Sequence, residues 1–280
     1  MALCIQTFSN VTGGDSFFKA VGHPRVVGAA KALIALLAAQ GPIAIYDPYL
    51  LLEAFAELYP LLGVHISSVF VQNLADVGKI ILGRPARPVS DLPRARTRAL
   101  FATLFDVARA MDHIRQLIPP GTETHSLDEL RLPEAMLTNS RRYLDPLNFA
   151  TNFAFFRDDD RRHTRVVTAN YWSGYGARHV RLWLALFDRE GRTLAQREEP
   201  APPGAGGIVI DSQAVRRRFA LGPFEGQLFA HVIGAAGHDV VKYALDLFGE
   251  NRPNSRARTM PTLGQPTFTQ DFRRPATTKA

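Results

Sequence analysis

With 280 residues, 46% hydrophobic and 21% charged, the chain has the composition of a folded globular protein and room for two domains. The single cysteine, Cys4, excludes an internal disulfide framework and points to a reducing compartment. The formal charge of +7 invites nucleic acid, but Arg252, Arg256, Arg258, Arg273, Arg274 and Lys279 stand against Asp271 alone in residues 251–280. Five of the seven net charges therefore belong to the tail, which argues against a nucleic-acid surface on the folded part. No apolar leader is visible, and the longest apolar run, Ala32–Ala39, is far too short for a membrane span. A cytoplasmic protein without membrane contact is expected.

Residues 1–23 form an N-terminal segment whose Thr12-Gly13-Gly14-Asp15-Ser16 stretch, followed by Lys19, lacks the spacing of a phosphate-binding loop. Pro24 opens a helical pattern that runs to Gln40, where Gly41-Pro42 stops it. Ile43–Tyr46 reads as a short buried strand. Asp47-Pro48 opens a helix carrying Leu51, Leu52, Phe55, Leu58 and Tyr59 at three- and four-residue spacing. His65–Gln72 is a second strand, Leu74–Leu82 a short helix or turn, and 84–88 a proline-punctuated loop. Ala99–Phe105 is a third strand, Asp106–Leu117 a third helix, and Glu123–Leu127 a fourth strand.

Strands alternating with helices imply a parallel sheet covered on both faces, a small doubly wound domain over residues 24–130. In such sheets ligands sit beyond the carboxyl ends of the strands. Asp47, Gln72 with Asn73, and Asp106 lie there and are the ligand-binding candidates of this half. Asp47 and Asp106 each also precede a helix, where aspartate caps free backbone N–H groups.

The helix at 24–40, the strands at 43–46 and 68–72, the Gly78…Gly83-Arg84-Pro85…Pro88-Val89 stretch and the strand at 100–105 together resemble the Rossmann-like N-terminal domain of bacterial sugar O-acyltransferases. The likeness covers roughly residues 24–127. It implies a nucleotide-sugar or CoA-type ligand. The turn after the first strand reads Tyr46-Asp47-Pro48-Tyr49, without the glycine-rich pattern that lets a backbone approach a pyrophosphate.

Leu132-Pro133 and Asp145-Pro146 punctuate residues 131–147, which read as a linker. From Asn148 the period changes to two. Phe149, Thr151, Phe153 and Phe155 share one strand face, opposite Asn148, Ala150, Asn152 and Ala154. Asp158-Asp159-Asp160 reads as a turn and lacks the glycine and glutamate of a calcium loop. Arg165–Trp172 is a strand. The strand at 180–187 is apolar on nearly both faces and therefore central. Thr193–Glu198 returns from it through a hairpin. Gly207–Asp211 follows, then a short helix through Phe219 that Ser212 caps, then strands at 227–233 and 240–248. Seven short strands with Gly/Pro turns predict an antiparallel β-sandwich over residues 148–249. The expected fold class is therefore α/β plus all-β.

Site candidates in this half come from two stretches. Tyr171, Trp172 and Tyr175, beside Asn170 and Arg178, supply the apolar faces and polar donors of a carbohydrate contact; the same Trp172 also fits an inner-face core. His238, Asp239 and Lys242 are secondary candidates, with His238-Asp239 also fitting a hairpin turn. The eight histidines show no metal-ligand spacing, so no metal site is expected. No G-x-S-x-G elbow is present.

Residues 250–280 lose all periodicity, and disorder is the physical expectation. Residues 1–249 are also similar to uncharacterised proteobacterial two-domain proteins. Codons permitted for Asn254–Asp271 can be chosen to encode, in a shifted frame, the phrase with which those proteins continue. A frameshift near Gly249–Pro253, and a chain truncated relative to those proteins, is the resulting expectation. The functional expectation is a nucleotide-sugar or CoA-type ligand in bacterial envelope polysaccharide metabolism. The alternative is a non-enzymatic sandwich protein that binds glycan or protein.

Overall fold

In the computed structural model, which describes residues 14–249 and 259–260, the chain divides into two compact units, Met1–Phe149 and Ala150–Ala280. No helix among the described residues is long and apolar enough to cross a membrane.

The first unit is built on a six-stranded sheet. Its strands are β1 (Ile43–Tyr46), β2 (Ile66–Val71), β3 (Ile80–Ile81), β4 (Arg84–Pro88), β5 (Ala99–Ala102) and β6 (Glu123–Ser126). Parallel strands run in the order β4-β2-β1-β5-β6, with β3 antiparallel at the edge. Numbered among themselves, the parallel strands read 3-2-1-4-5, the order of a doubly wound sheet. Both faces are covered. On one, Ala44, Tyr46, Phe70, Leu100 and Ala102 pack with Leu92 and Ile114, the latter from α4 (Ala108–Ile114). On the other, Phe101 meets Phe55 of α3 (Leu52–Leu58) with ring centroids 5.9 Å apart. There too, Leu33 and Leu37 of α2 (Val27–Ala39) are buried, and Phe17 of α1 (Gly14–Val21) reaches Phe105. Each buried Phe or Leu stabilises the unit by roughly 1.5–3 kcal/mol.

Two expectations change here. The stretch 84–88 is a strand, not a loop: Ala86 donates its N–H to Lys79 O and accepts from Gly78 N, each at 2.8 Å, while Val69, Phe70 and Val71 line up with Ala86, Arg87 and Pro88. The prolines stand at either side of the one residue that supplies both edge hydrogen bonds. Residues 131–147 are not a linker. Leu132, Met136 and Tyr143 are buried, and the Tyr143 ring packs between Phe105 and Phe149 at 4.5 and 5.4 Å. Buried Asn148 closes this loop: its Oδ1 accepts from Asn139 N, and its Nδ2 faces the carbonyls of Asn139, Arg142 and Tyr143. The prolines there mark turns in a packed segment.

The second unit holds an eight-stranded antiparallel sheet that works as two leaves. One leaf runs β10 (Thr193–Pro200), β9 (Arg181–Asp188), β12 (Phe224–Ile233), β7 (Ala150–Asp158). The other runs β11 (Gly207–Asp211), β8 (His163–Ala169), β13 (Ala244–Phe248), β14 (Thr259–Met260). β7 and β8 share a single pair, Asp158 with His163, and then part. Beyond that pair the leaves face each other, and Ala154, Leu182 and Leu228 of one close an apolar interior with Val166 and Ile210 of the other. β9 lies between β10 and β12, as its two apolar faces require.

The aromatic face of β7 looks outward. Phe153 and Phe155 are 37% and 42% exposed, whereas Ala154, Phe156 and Asp158 are buried. Asp158 sets this register. It sits inside with Ser212 Oγ donating to its Oδ2 at 2.8 Å, His163 Nδ1 3.0 Å from the same oxygen, and Arg216 at 3.2 Å from Oδ1. A one-residue slip would turn every side chain of the strand to the other face and expel that carboxylate from its donors. Ser212 is spent on Asp158 and on Thr164 N, so it does not cap α5 (Ser212–Arg218). Asp211 does, accepting from Ala214 N. Residues 250–280, expected to be disordered or frameshifted, lie outside the described residues apart from β14.

Candidate functional site

At the carboxyl end of the first unit's sheet, the switch point falls between β1 and β5, and Asp47 stands there. Its carboxylate is fully buried. Oδ1 accepts from Leu51 N at 2.8 Å and from Thr103 Oγ1 at 2.6 Å, and Oδ2 accepts from Leu52 N at 3.1 Å. Burial pushes this carboxyl above its ordinary range; the Thr103 hydroxyl and the Leu51 and Leu52 amides pull the other way without reversing it. Asp47 thus holds the start of α3.

Asn73 is exposed, and its Oδ1 accepts from Ala75 N at 3.0 Å, capping a single 3-10 turn. Gln72 accepts from Tyr46 Oη at 2.9 Å. Asp106, in left-handed backbone at φ 53°, does not cap α4. Asp128 accepts its N–H and that of Val107 instead. The Asp106 carboxylate accepts from Tyr143 N and pairs with Arg131, whose guanidinium lies 4.6 Å from the Tyr143 ring centroid. Burial pushes the Tyr143 hydroxyl up to about 12. No hydrogen bond among the described residues links Asp47, Asn73 and Asp106; each instead accepts from backbone N–H groups.

The second unit does bring its candidates together. Beyond β8 the chain makes a 3-10 turn, Tyr171–Tyr175, so Trp172 lies outside the strand expected to contain it. Between β12 and β13 the residues 234–243 cross from one leaf to the other, so His238-Asp239 is not a tight hairpin. The two stretches interlock. Trp172 is fully buried; its Nε1 donates to His238 O at 3.0 Å, and its ring stacks on Tyr171 at 4.1 Å. Tyr171 Oη donates to Val240 O and accepts from Lys242 N. Burial pushes that hydroxyl up to about 12. Thr168 Oγ1 donates to Lys242 O.

On this floor stands Tyr175, 57% exposed. Its hydroxyl is 3.0 Å from His238 Nε2, and the two rings meet edge to face at 4.8 Å. Gly237, at φ 73°, has the Tyr175 ring directly against its backbone, where a Cβ would overlap ring carbons. Asn170 anchors the turn from behind: its N–H donates to Gly206 O, and its Nδ2 to Pro202 O at 2.8 Å. Its buried Oδ1 has no hydrogen-bond partner among the described residues.

Tyr175, His238 and Lys242 therefore share one end of the sandwich, with Asp239 in the same connection. Trp172 supports the surface from below and is out of a ligand's reach. Sequence reasoning missed Gly237, whose signal was present: a glycine immediately before His238 that turn chemistry alone explained. It also missed Thr103 and Asp128, which carry no motif.

At the β7–β8 tip an open cleft of about 570 Å3 is lined by Asp158, Asp159, Asp160, His163, Gln213 and Arg216 among others. Its carboxylates are engaged by cations: Arg216 pairs with Asp158 and Asp160, and Arg157 with Asp159. Among the described residues no group of three or more His, Cys, Asp or Glu is placed to hold a metal ion.

No protein-family model matches the chain, and no curated protein sequence matches it.

Proposed function

We propose that the chain binds a saccharide through the end of the sandwich that carries Tyr175, His238 and Lys242. The observation that carries the reading is an exposed aromatic ring held in place. Tyr175 is fixed by His238 and by the bare backbone of Gly237, so little rotamer freedom remains to be lost on binding. A tyrosine face packs against the C–H surface of a sugar ring, and neighbouring polar tips orient its hydroxyls. A glycan array probed with the full chain tests this. Tyr175→Ala is expected to abolish binding with thermal stability retained. Absence of binding across neutral and acidic glycans overturns the reading.

A nucleotide-sugar or CoA-type ligand on the α/β unit is the second reading. The 3-2-1-4-5 strand order favours it, because that order creates a switch point between β1 and β5. Such a ligand raises the melting temperature in proportion to the logarithm of its concentration. A flat thermal profile with millimolar nucleotide sugars and CoA removes it. Bacterial envelope polysaccharide metabolism, in the reducing cytoplasm that one cysteine suits, is the setting both readings share.

A further inference from the structure

Resting on the saccharide reading above, we infer that the sugar taken at this end of the sandwich is anionic, carrying a carboxylate or phosphate that Lys242 and Arg178 receive. The charge balance of the three converging loops is the first ground. Residues 170–180, 200–206 and 234–243 contain Arg178 and Lys242 as permanent cations and Asp239 as the one carboxylate.

Availability is the second ground. In this unit Arg157, Arg165, Arg181, Arg189, Arg192, Arg197 and Arg216 each form an ion pair with an acidic side chain, whereas the exposed Arg161, Arg162, Arg217 and Arg218 at other places on the surface form none among the described residues. The exposed side chains of Arg178 and Lys242 form none among the described residues. A neutral sugar would leave both unpaired, whereas an anionic group on the sugar meets them at the surface.

The third ground is position. Lys242 Nζ lies 5.9 Å from the Tyr171 ring centroid, and its backbone is pinned by Tyr171 Oη and by Thr168 Oγ1 at 2.9 and 2.5 Å. Arg178 and His179 present their carbonyls to Gly234, within 3.4–3.5 Å of where a Cβ would stand, which seats that loop against the one bearing His238. Lys242 thus stands on backbone fixed by Tyr171 and Thr168, and Arg178 on the loop that meets Gly234; their flexible stems carry the charge to the ligand.

The test uses a matched pair of probes, an oligogalacturonate and its methyl ester, titrated into the full chain at low and high salt. A phosphorylated monosaccharide and inorganic phosphate are run alongside. The acid form is expected to bind about tenfold more tightly than the ester at low salt, with the advantage shrinking as salt rises. Arg178→Ala and Lys242→Ala are each expected to weaken the acid form by roughly two- to fivefold more than they weaken the ester. Tighter binding of the phosphorylated sugar than of the uronate assigns phosphate as the anionic group. Equal affinity for acid and ester, or acid binding indifferent to the double variant, overturns the anionic inference while the saccharide reading stands. Inorganic phosphate binding as tightly as either sugar also overturns it, because the site is then a simple anion site. Binding of no saccharide at all removes both.

Discussion

Thr103 Oγ1 donates to Asp47 Oδ1 at 2.6 Å across the gap between the ends of β5 and β1. This bond lies at the position where a doubly wound sheet ordinarily receives its ligand, and with the Leu51 and Leu52 amides it satisfies a fully buried carboxylate. Thr103→Val removes the donor and keeps the shape, leaving the carboxylate two backbone amides in place of three partners. A loss of about 1–3 kcal/mol is expected, read as a lower urea midpoint with unchanged slope. Saccharide binding at the sandwich should be unaffected; an undiminished midpoint would show that the hydroxyl is not required.

Asn148 holds residues 139–143 by hydrogen bonds from a fully buried amide. Asn148→Ala leaves several buried backbone groups without partners, at a cost of about 2–4 kcal/mol. Trypsin should then cut after Arg141 or Arg142 much faster than in the parent chain. Equal cleavage rates would mean that the segment is loosely held without this side chain's help or with it.

Gly237 combines a left-handed backbone with direct contact to the Tyr175 ring. Gly237→Ala is expected to cost about 1–2 kcal/mol from backbone strain alone and to displace the ring, so saccharide binding falls as it does in Tyr175→Ala. Tyr175→Ala itself, at an exposed position, should change stability by less than about 1 kcal/mol. Retained binding in Gly237→Ala would separate the glycine from the placement of the tyrosine.

The backbone N–H of Arg161, with that of Arg162 and the Arg157 guanidinium, holds the Asp159 carboxyl down to about 2. A depressed folded-state pKa contributes stability that is present above the unfolded value of 3.8 and is lost as pH falls toward the folded one. The difference in melting temperature between the parent and Asp159→Asn should therefore be present at neutral pH and shrink below pH 4. A constant difference across that window would assign the effect to side-chain shape.

At the alkaline end the sign reverses. Burial pushes Tyr143 and Tyr171 up to about 12 from 10.0, so their contribution is whole below the unfolded value and is lost as pH rises through the folded one. Absorbance at the tyrosinate band should show a group of late-titrating hydroxyls, Tyr143 and Tyr171 together with Tyr46, Tyr59 and Tyr243, which burial also raises. Tyr171→Phe should remove one of them, and an unaltered titration curve would contradict the placement of Tyr171.

Local pattern made the elements legible. The strand at Ile43–Tyr46, the β9 core of alternating leucines and the switch from a 3.6 to a 2 period each depend on neighbours a few residues apart. The pattern fell short where one residue outside it governed. Phe153 and Phe155 share an aromatic strand face, and the buried Asp158 turned that face out. Pro85 and Pro88 read as loop, and Ala86 between them completed a strand. Of the site, Tyr175, His238 and Lys242 could be named from the sequence as separate suspects, since aromatic and charged side chains are visible in any chain.

The sequence by itself determined an α/β half followed by an antiparallel half, because backbone hydrogen bonding and side-chain alternation are local. Only the tertiary structure decided which polar side chains are spent and which are presented. Asp47 and Thr103 are 56 residues apart, and Tyr175 and His238 are 63 apart. Such partners are chosen by strand order and by where the chain crosses between leaves, and no periodicity records either.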